Sequence, residues 1–192
     1  MAVEIEAKMK VDDLEAVRNR LKAAGATLIG DFLEKNLFFD TDDRSLLTAD
    51  EGLRLRLTQN LATSEHVNTI TFKGPRKHGQ LKSREETEVN VDNFDNAATL
   101  LGCLGYVRVL QFEKRRESWS FRSCKVELDT LPHLGTYVEI EGPQDEAVMA
   151  VREAMQLTHR PLVRSSYIAM LMNHLQESNS TDREVKLPPA KV

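Results

Sequence analysis

The sequence predicts an α+β protein whose centre is a closed eight-stranded antiparallel β-barrel with helices packed on its outside. Three observations favour this fold. Eight short segments alternate apolar and polar residues, as strands do, and four longer segments have the apolar spacing of helices. The polar face of nearly every predicted strand carries charged residues. The chain has 192 residues, enough for one domain with a buried core.

The predicted strands are the segments in which successive side chains would point to opposite faces of a sheet. Turn residues separate several of them, among them Gly74-Pro75 and Leu134-Gly135. The predicted strands span residues 3–11, 35–40, 53–59, 67–73, 82–91, 111–121, 124–129 and 137–142.

Four helices are predicted from apolar residues that recur every three or four positions. The first is expected to begin after Asp12, an N-cap residue with Glu15 three positions later, and the second after Asp92. The four helices span residues 13–25, 93–105, 144–156 and 166–176. Residues 177–192 are polar and lack periodicity, so we expect a single domain over residues 1–176 followed by a disordered tail.

A strand-then-helix unit occurs twice in the sequence. Three pairs of matching positions are each separated by 80 residues. One such match could arise by chance, but a separation shared by three pairs indicates a repeat. The matching pairs are residues 11–14 with 91–94, Gly25 with Gly105, and Glu6 with Glu86. The sequence therefore predicts a barrel made of two duplicated strand–helix halves.

Charged residues collect on one face of the predicted strands. For any single strand, the simpler interpretation is an amphipathic sheet whose charged face is solvated. Solvated faces usually mix Thr, Ser and Gln with Lys, whereas these faces carry mainly Glu, Asp, Lys and Arg. In addition, the apolar faces of the strands are needed to pack against the apolar stripes of the helices. We therefore expect the charged face to line the barrel interior. The acids on this face are Glu4, Glu6, Glu86, Glu88, Glu127, Asp129, Glu139 and Glu141, and the bases are Lys8, Arg54, Arg56, Lys73, Arg84, Lys114 and Arg116.

So many charges inside a barrel indicate a ligand. Burying an ion costs several kcal/mol unless it is paired or binds another ion. Carboxylates at Glu-x-Glu spacing suit a hard divalent cation such as Mg²⁺ or Mn²⁺. Lysine and arginine side chains that converge nearby suit phosphate oxygens. The combination predicts a site for a metal ion and several phosphates, as in a polyphosphate or a nucleoside triphosphate.

In chain order, the charged motifs resemble those of the CYTH superfamily, which includes class IV adenylyl cyclases, thiamine triphosphatases and inorganic triphosphatases. The resemblance covers about residues 1–175, and the ordered set is far more specific than any one motif. The motifs are Glu4-Ile5-Glu6-Ala7-Lys8, NLFFDT at 36–41, LRLR at 53–56, TFKGP at 71–75, REETE at 84–88, EKRR at 113–116, ELD at 127–129, GTYVEIE at 135–141 and RSSY at 164–167.

The resemblance implies an open-ended antiparallel tunnel that binds a triphosphate with Mg²⁺ or Mn²⁺. The implied metal ligands are Glu4, Glu6, Glu86, Glu88, Asp129, Glu139 and Glu141. The implied phosphate-binding residues are Lys8, Arg54, Arg56, Lys73, Arg84, Lys114 and Arg116. All of these except Arg84 are also expected to act in catalysis, by neutralising charge in the transition state. No residue is assigned as a general base.

The motif spacing resembles the class IV cyclase-like branch most, which implies conversion of ATP to cyclic AMP and pyrophosphate. The alternative is a triphosphatase that hydrolyses inorganic tripolyphosphate, thiamine triphosphate or a nucleoside triphosphate. A module that binds a polyphosphate or nucleotide without turnover is a third hypothesis, and a structural charged barrel is a fourth. The acids favour turnover, because anion binding alone needs no carboxylates.

Composition narrows the class of protein further. The formal net charge of −4 argues against a nucleic-acid binder, which usually has a basic face. The N-terminal residues do not read as a secretory signal and no apolar run is long enough to span a membrane, so we expect a cytoplasmic protein. Cys103 and Cys124 lack the histidine partners of a zinc site. A monomer and a homodimer are both compatible with the sequence.

Overall fold

The computed structural model describes residues 2–77, 79 and 81–188, except for the side chains of residues 2–4. Within these residues, eight strands form the body of the molecule. They are β1 (Ala2–Val11), β2 (Thr27–Asp40), β3 (Gly52–Asn60), β4 (His66–Lys73), β5 (Lys82–Val91), β6 (Val107–Phe121), β7 (Cys124–Leu131) and β8 (Gly135–Gly142).

These strands form a closed antiparallel barrel in the order β2-β3-β4-β5-β1-β8-β7-β6, and β6 pairs back with β2 to complete the ring. The predicted fold class is therefore confirmed. Strands β2 and β6 are longer than predicted, since they begin at Thr27 and Val107. Both extensions belong to the seam, where the two strands pair from Thr27↔Ser120 to Asp40↔Val107.

In the described part of the chain, five helices accompany the barrel. They are α1 (Leu14–Ala23), α2 (Ser45–Thr48), α3 (Phe94–Cys103), α4 (Asp145–Ala154) and α5 (Tyr167–Glu177). The four predicted helices are present, and the single-turn helix α2 was not predicted. None of the helices in the described part of the chain has the length and apolar character needed to cross a membrane.

The N-caps of α1 and α3 are each one residue later than predicted. Asp13 accepts a hydrogen bond from the backbone N–H of Ala16 at 3.0 Å, and Asn93 accepts one from Asn96 at 2.8 Å. In each case the following residue, Leu14 or Phe94, is partly buried against an apolar cluster. The two strand–helix units thus have the same local geometry, while their origin by duplication stays a prediction.

The outward apolar face of the barrel forms two cores with the helices. Around β1, β7 and β8, buried Val17 and Leu21 of α1 and Val148 of α4 pack in one cluster with Ile140 of β8. Around β2 and β3, helix α3 buries Leu101 in a second cluster. Burial of this kind contributes roughly 1.5–3 kcal/mol for each large apolar side chain.

Helix α5 packs differently, because it covers inward-facing residues at one end of the barrel. Its buried Leu171 lies in a cluster with Leu110, Leu131 and Tyr137. The two-residue alternation of the strands places Leu110 on the same face as Lys114, and Tyr137 on the same face as Glu139. Helix α5 therefore borders the space inside the barrel.

The chain after α5 is more ordered than predicted. A two-residue strand, β9 (Glu184–Val185), pairs in parallel with β6 at Gln111 and Phe112. Val185 is buried in the same apolar cluster as α5. The expected disordered tail over residues 177–192 therefore does not include this segment, because one apolar side chain anchors it. Residues 189–192 lie outside the described part of the chain.

Candidate functional site

The barrel encloses a cavity of ≈ 1220 Å³ whose wall is strongly charged. Among the described residues, eleven lysine and arginine residues and eight acidic residues line it. Glu34, Glu127 and Asp129 are buried directly behind the wall and pair with its cations. Many cations thus converge on one cavity although the chain has a net charge of −4, and such cations can attract an anion.

The structure brings together most of the predicted site residues. All seven predicted phosphate-binding residues line the cavity, and five of the seven predicted metal ligands do so. Asp129 lies deeper, fully buried behind the wall. The side chain of Glu4 lies outside the described residues, although its backbone pairs with Arg84 in the β1–β5 ladder.

Arg54 and Arg56 project from β3 into the cavity. The Nη2 of Arg54 donates to the Oγ1 of Thr71 at 2.9 Å, and the Nε of Arg56 donates to the Oδ1 of Asn36 at 2.7 Å. Burial, and then the neighbouring charge of Arg56, lowers the pKa of Arg54 to about 10. Arg54 remains protonated at pH 7, so both residues present fixed positive charge.

Arg116 is the most heavily paired cation of the site. Its guanidinium contacts Asp129 at 2.7 and 2.5 Å and Glu139 at 2.5 Å, and forms a further ion pair with Glu127. Burial lowers the pKa of Arg116, but Asp129 and Glu127 raise it by more, so that it lies well above its usual value. Arg116 is consequently held by protein carboxylates and organises the site.

Lys114 is less completely balanced. Its Nζ lies 3.2 Å from Asp129 and 3.4 Å from Glu34. Burial and the adjacent Arg116 charge lower its pKa, and the two acids compensate only in part. A further negative charge in the cavity would stabilise its protonated form.

Lys8 lies beside two acids on β1 and β8. Its Nζ is 3.1 Å from Glu139 and 3.8 Å from Glu6, and it donates to the carbonyl oxygen of Ser165 at 3.1 Å. Burial lowers the pKa of Lys8, but Glu139 and Glu6 together raise it above its usual value. Lys8 therefore stays charged at neutral pH.

Tyr167 is a site residue to which the sequence analysis gave no role. Its hydroxyl donates to the Oδ2 of Asp129 at 2.9 Å, and its ring lies 4.1 Å from the Nζ of Lys8 and 5.2 Å from that of Lys114. Burial, and then the charge of Asp129, raises the pKa of the Tyr167 hydroxyl well above its usual value. The RSSY motif at the start of α5 was the available signal.

Three polar residues of the site were also missed. Glu34 pairs with Arg56 at 3.1 Å, Asn36 binds the same arginine, and Lys82 donates to the carboxylate of Glu6 at 2.6 Å. Glu34 fell outside the predicted strand, which was too short. Lys82 lies two residues before Arg84 on β5. The two-residue alternation of a strand places both side chains on the same face, so the sequence already indicated the position of Lys82.

The carboxylates supply the oxygen ligands that Mg²⁺ and Mn²⁺ prefer, which is the chemistry of a site for either ion. Within the described part of the chain, however, no three acidic, histidine or cysteine side chains converge as a metal site would require. Glu6 and Glu141 lie opposite each other across β1 and β8, where like charges repel, and Lys82 offsets part of this repulsion at 2.6 Å from Glu6. The donor chemistry fits a metal ion, and the individual ligands stay predictions.

The other predicted ligands are engaged by protein groups. Glu86 pairs with Lys73, Glu88 accepts a hydrogen bond from Thr71 at 2.8 Å, and Asp129 is bound by Arg116, Lys114 and Tyr167.

Among the described residues that line the cavity, three buried donors have no hydrogen-bond partner within the protein. They are the Nε atoms of Arg54 and Arg84 and the Nδ2 of Asn36. Buried polar groups in proteins are almost always paired, so each such donor calls for an explanation. All three atoms are also shielded from the cavity by neighbouring protein atoms, so they do not by themselves indicate a ligand.

The fold and this charged cavity define a member of a known family. The CYTH domain family matches residues 2–166, so the chain belongs to the CYTH family.

Two named relatives align over most of the chain. The protein MJ0240 of Methanocaldococcus jannaschii, named as a candidate adenylate cyclase, is 28% identical over 178 residues, which cover 88% of this chain and 98% of the relative. The adenylate cyclase CyaB of Aeromonas hydrophila is 29% identical over 155 residues, which cover 80% of this chain and 76% of the relative.

Solved structures share the barrel at lower identity. The protein PH1819 of Pyrococcus horikoshii superposes with a TM-score of 0.78 at 24% identity, covering 89% of this chain and 99% of that one. HpAC1 of Hippeastrum, described as having a dominant triphosphatase activity, superposes with a TM-score of 0.65 at 20% identity, covering 98% of both chains. At these identities the likeness shows the fold alone.

Proposed function

We propose that this protein is a divalent-metal-dependent enzyme that binds a triphosphate inside the barrel and catalyses a reaction at one of its phosphorus atoms. The observation that carries the proposal is the convergence of arginine and lysine residues from β3, β4, β5 and β6 on one cavity, beside carboxylates of β1 and β8. A chain of phosphates has enough oxygens to contact several of these cations at once.

The basic residues would hold the phosphates and stabilise the transition state. In phosphoryl transfer, charge spreads over the oxygens of the transferred group, and positioning with electrostatic stabilisation supplies most of the catalysis. Arg54 and Arg56 are suited to this role because the strand fixes them and they pair only partly with protein acids. Arg116 is suited to hold Asp129 and Glu139 in place, because its charge is already balanced.

Glu6 and Glu141, together with the predicted ligand Glu4, would hold the metal ion. Mg²⁺ or Mn²⁺ bound there would supply Lewis-acid polarisation of a phosphoryl oxygen. Lys82 lies 2.6 Å from the carboxylate of Glu6 and would compete with a metal ion for it.

The leading reaction is the adenylyl cyclase reaction, which is supported by the names of the aligned relatives. In that reaction, the 3′-oxygen of the ribose attacks the α-phosphorus of ATP, loses its proton and displaces pyrophosphate. The second candidate is triphosphate hydrolysis, for which the activity described for HpAC1 is the supporting observation. There, water attacks the γ-phosphorus and orthophosphate is released.

Product analysis distinguishes the two reactions. ATP, tripolyphosphate and thiamine triphosphate are incubated separately with the protein and Mg²⁺ or Mn²⁺, and the products are separated by chromatography. Cyclic AMP with pyrophosphate would support the cyclase, whereas orthophosphate without a cyclic product would support the triphosphatase. Absence of any product from all three would overturn the proposal of an enzyme.

A matched pair of variants tests the site itself. Arg54→Gln removes a cavity cation, and we expect kcat/KM to fall roughly 100-fold, as when one transition-state donor is lost. Arg115→Gln is the control, because Arg115 is exposed and pairs with Asp31 on the outside of the barrel. Equal activity of the two variants would contradict the assignment of the site.

A further inference from the structure

One aspartate and two arginines form a cluster at the rim of the cavity. Asp50 lies between α2 and β3, Arg76 lies three residues after β4, and Arg84 lies on β5. All three line the cavity. Gly52 pairs with Lys73, so the segments that carry Asp50 and Arg76 lie at the same end of the barrel. The strands thus bring these two residues together, although they are 26 positions apart in sequence.

The carboxylate of Asp50 is bound as an anionic ligand would be. The Nε of Arg76 donates to its two oxygens at 2.9 and 2.8 Å, and the Nη2 of Arg76 lies 2.8 Å from Oδ1. The backbone N–H of Arg76 also donates to Oδ2 at 2.9 Å, and a nitrogen of Arg84, Nη2, lies 3.6 Å from Oδ1. A guanidinium binds a phosphate with the same paired donors that it uses for a carboxylate.

The rim cluster is accessible to a ligand in the cavity. The side chains of Asp50 and Arg76 are 40% and 45% exposed, whereas that of Arg84 is 10% exposed. Burial raises the pKa of the Asp50 carboxyl, but hydrogen bonds from Arg76 lower it by more, so Asp50 is ionised at neutral pH. Partly exposed ion pairs of this kind contribute little to stability, so a phosphate can replace the carboxylate at small cost.

The backbone of Asp50 holds Arg84 independently of the carboxylate. Its carbonyl oxygen accepts a hydrogen bond from the Nη2 of Arg84 at 3.2 Å, so displacement of the carboxylate leaves this contact in place. Asp50 has a φ of 57°, in the left-handed region that aspartate and asparagine adopt more readily than most residues. Asparagine can therefore replace Asp50 with the same backbone, which separates the effect of the charge from that of the local structure.

We propose that Arg76 and Arg84 form an anion-binding site at the rim of the cavity, and that the carboxylate of Asp50 is an internal competitor for this site. A phosphate group of the substrate displaces the carboxylate and takes its place on the two guanidinium groups. The proposal rests on the proposed function, because its ligand is a chain of phosphates. It adds Arg76 to the phosphate-binding residues and makes Asp50 a residue that sets the affinity for the substrate.

The first test removes the charge of the competitor. Binding of inorganic tripolyphosphate is measured by isothermal titration calorimetry at low salt and a fixed concentration of Mg²⁺. Asp50→Asn should bind it roughly two- to fivefold more tightly than the unmodified protein, which is the range expected when a partly exposed ion pair no longer has to be broken. Asp43→Asn is the matched control, because Asp43 is an exposed acid between β2 and β3 that does not line the cavity.

The second test asks whether the gain comes from Arg76. In the unmodified protein, Arg76→Gln should change the affinity for tripolyphosphate by less than about twofold, because the contact with phosphate only replaces the contact with Asp50. In the Asp50→Asn background, the same change should weaken binding roughly two- to fivefold. A contact that only supports the local structure would give the same loss in both backgrounds. Melting temperatures of all forms verify that each is folded.

The outcomes separate this proposal from the proposed function. Tighter binding by Asp50→Asn, together with a loss on Arg76→Gln only in that background, would support the internal competitor. If Asp50→Asn binds tripolyphosphate no more tightly than Asp43→Asn, or more weakly than the unmodified protein, the competitor is overturned and the triphosphate site still stands. Failure of tripolyphosphate to bind the unmodified protein and every variant would overturn both proposals.

Discussion

At the scale of single residues, the barrel is held by buried charges whose partners come from different strands. Glu34 of β2 shows the balance most clearly. Burial raises the pKa of its carboxyl, but Arg56, Lys114 and Arg116 lower it by more, and the carboxylate stays ionised. The interior is therefore stable only as a complete set of opposite charges.

Substitution of Glu34 by Gln should strongly destabilise the protein. The change leaves Lys114 and Arg56 without their shared acid, and removal of one partner from a buried ion pair typically costs about 3–5 kcal/mol. Urea denaturation would measure the free energy of unfolding. Glu15→Gln is the control, since Glu15 is an exposed acid on α1 that pairs with Arg18, and such pairs contribute about 0–1 kcal/mol. Similar losses in both variants would show that the interior charges are not coupled as described.

The cavity residues that the sequence predicted lie on strands, whereas a residue that it missed reaches the site from a helix. Arg54 and Glu139 lie within strands of clear two-residue alternation, so their face could be read directly. Tyr167 reaches the site from a helix, and its contact with Asp129 depends on how α5 packs on the barrel. Strand periodicity carries no information about such packing between elements.

At the scale of elements, the segment after α5 pairs with β6 and holds the end of the chain against it. Strand β9 adds to β6, and the backbone N–H of Leu187 donates to Glu113 at 3.2 Å. Val185 fills the apolar cluster between β6 and α5. A few residues beyond the main fold thus secure the helix that borders the cavity.

Removal of this segment should therefore destabilise the protein. A chain ending at residue 182 loses the buried Val185, which contributes about 1.5–3 kcal/mol when fully buried. A chain ending at residue 188 retains β9 and serves as the control. Thermal denaturation should show a lower midpoint for the shorter chain only, and equal midpoints would mean that β9 adds nothing to stability.

Element boundaries were the least predictable part of the fold. The alternation in β2 is weak near Gly30, where the pairing with β6 has an irregularity between Leu28 and Gly30. The strand nevertheless continues to Thr27 because β6 offers a partner along its length. Pairing between distant strands, which the local sequence does not encode, determined this boundary.

At the scale of the whole molecule, the closed ring explains why the fold class was predictable. When many strands each have one charged and one apolar face, both faces can be paired only in a closed arrangement. The apolar faces then pack against the helices, and the charged faces meet one another inside the barrel. The ligand that this interior would bind was predictable only as a class, because cavity shape depends on α5 and on the β2–β6 seam.

Acid should unfold the protein by protonating its interior carboxylates. The pKa values of Glu34 and Glu139 are lowered in the folded state: burial would raise them, but the nearby cations outweigh it. Their stabilising contribution is therefore complete above the unfolded glutamate pKa of about 4.3 and is lost as the pH falls below that value towards the folded pKa. We expect the free energy of unfolding to be level from pH 7 to 5 and then to fall by up to about 1.4 kcal/mol per pH unit for each group. Urea unfolding at a series of pH values would measure it, and an unchanged value at pH 3 would contradict the proposed charge balance.

The seam between β2 and β6 also bears on how the chain acquires this structure. Strands β2 to β5 and strands β6 to β8 each pair with their neighbours in sequence, so two meanders can form from local contacts. The seam and the two ladders of β1 join strands that are far apart in sequence, and contacts of that kind slow folding. Glu34 faces Lys114 only across this seam. Closure of the seam therefore brings Glu34 against Lys114, and its speed should depend on the ions dissolved around the chain.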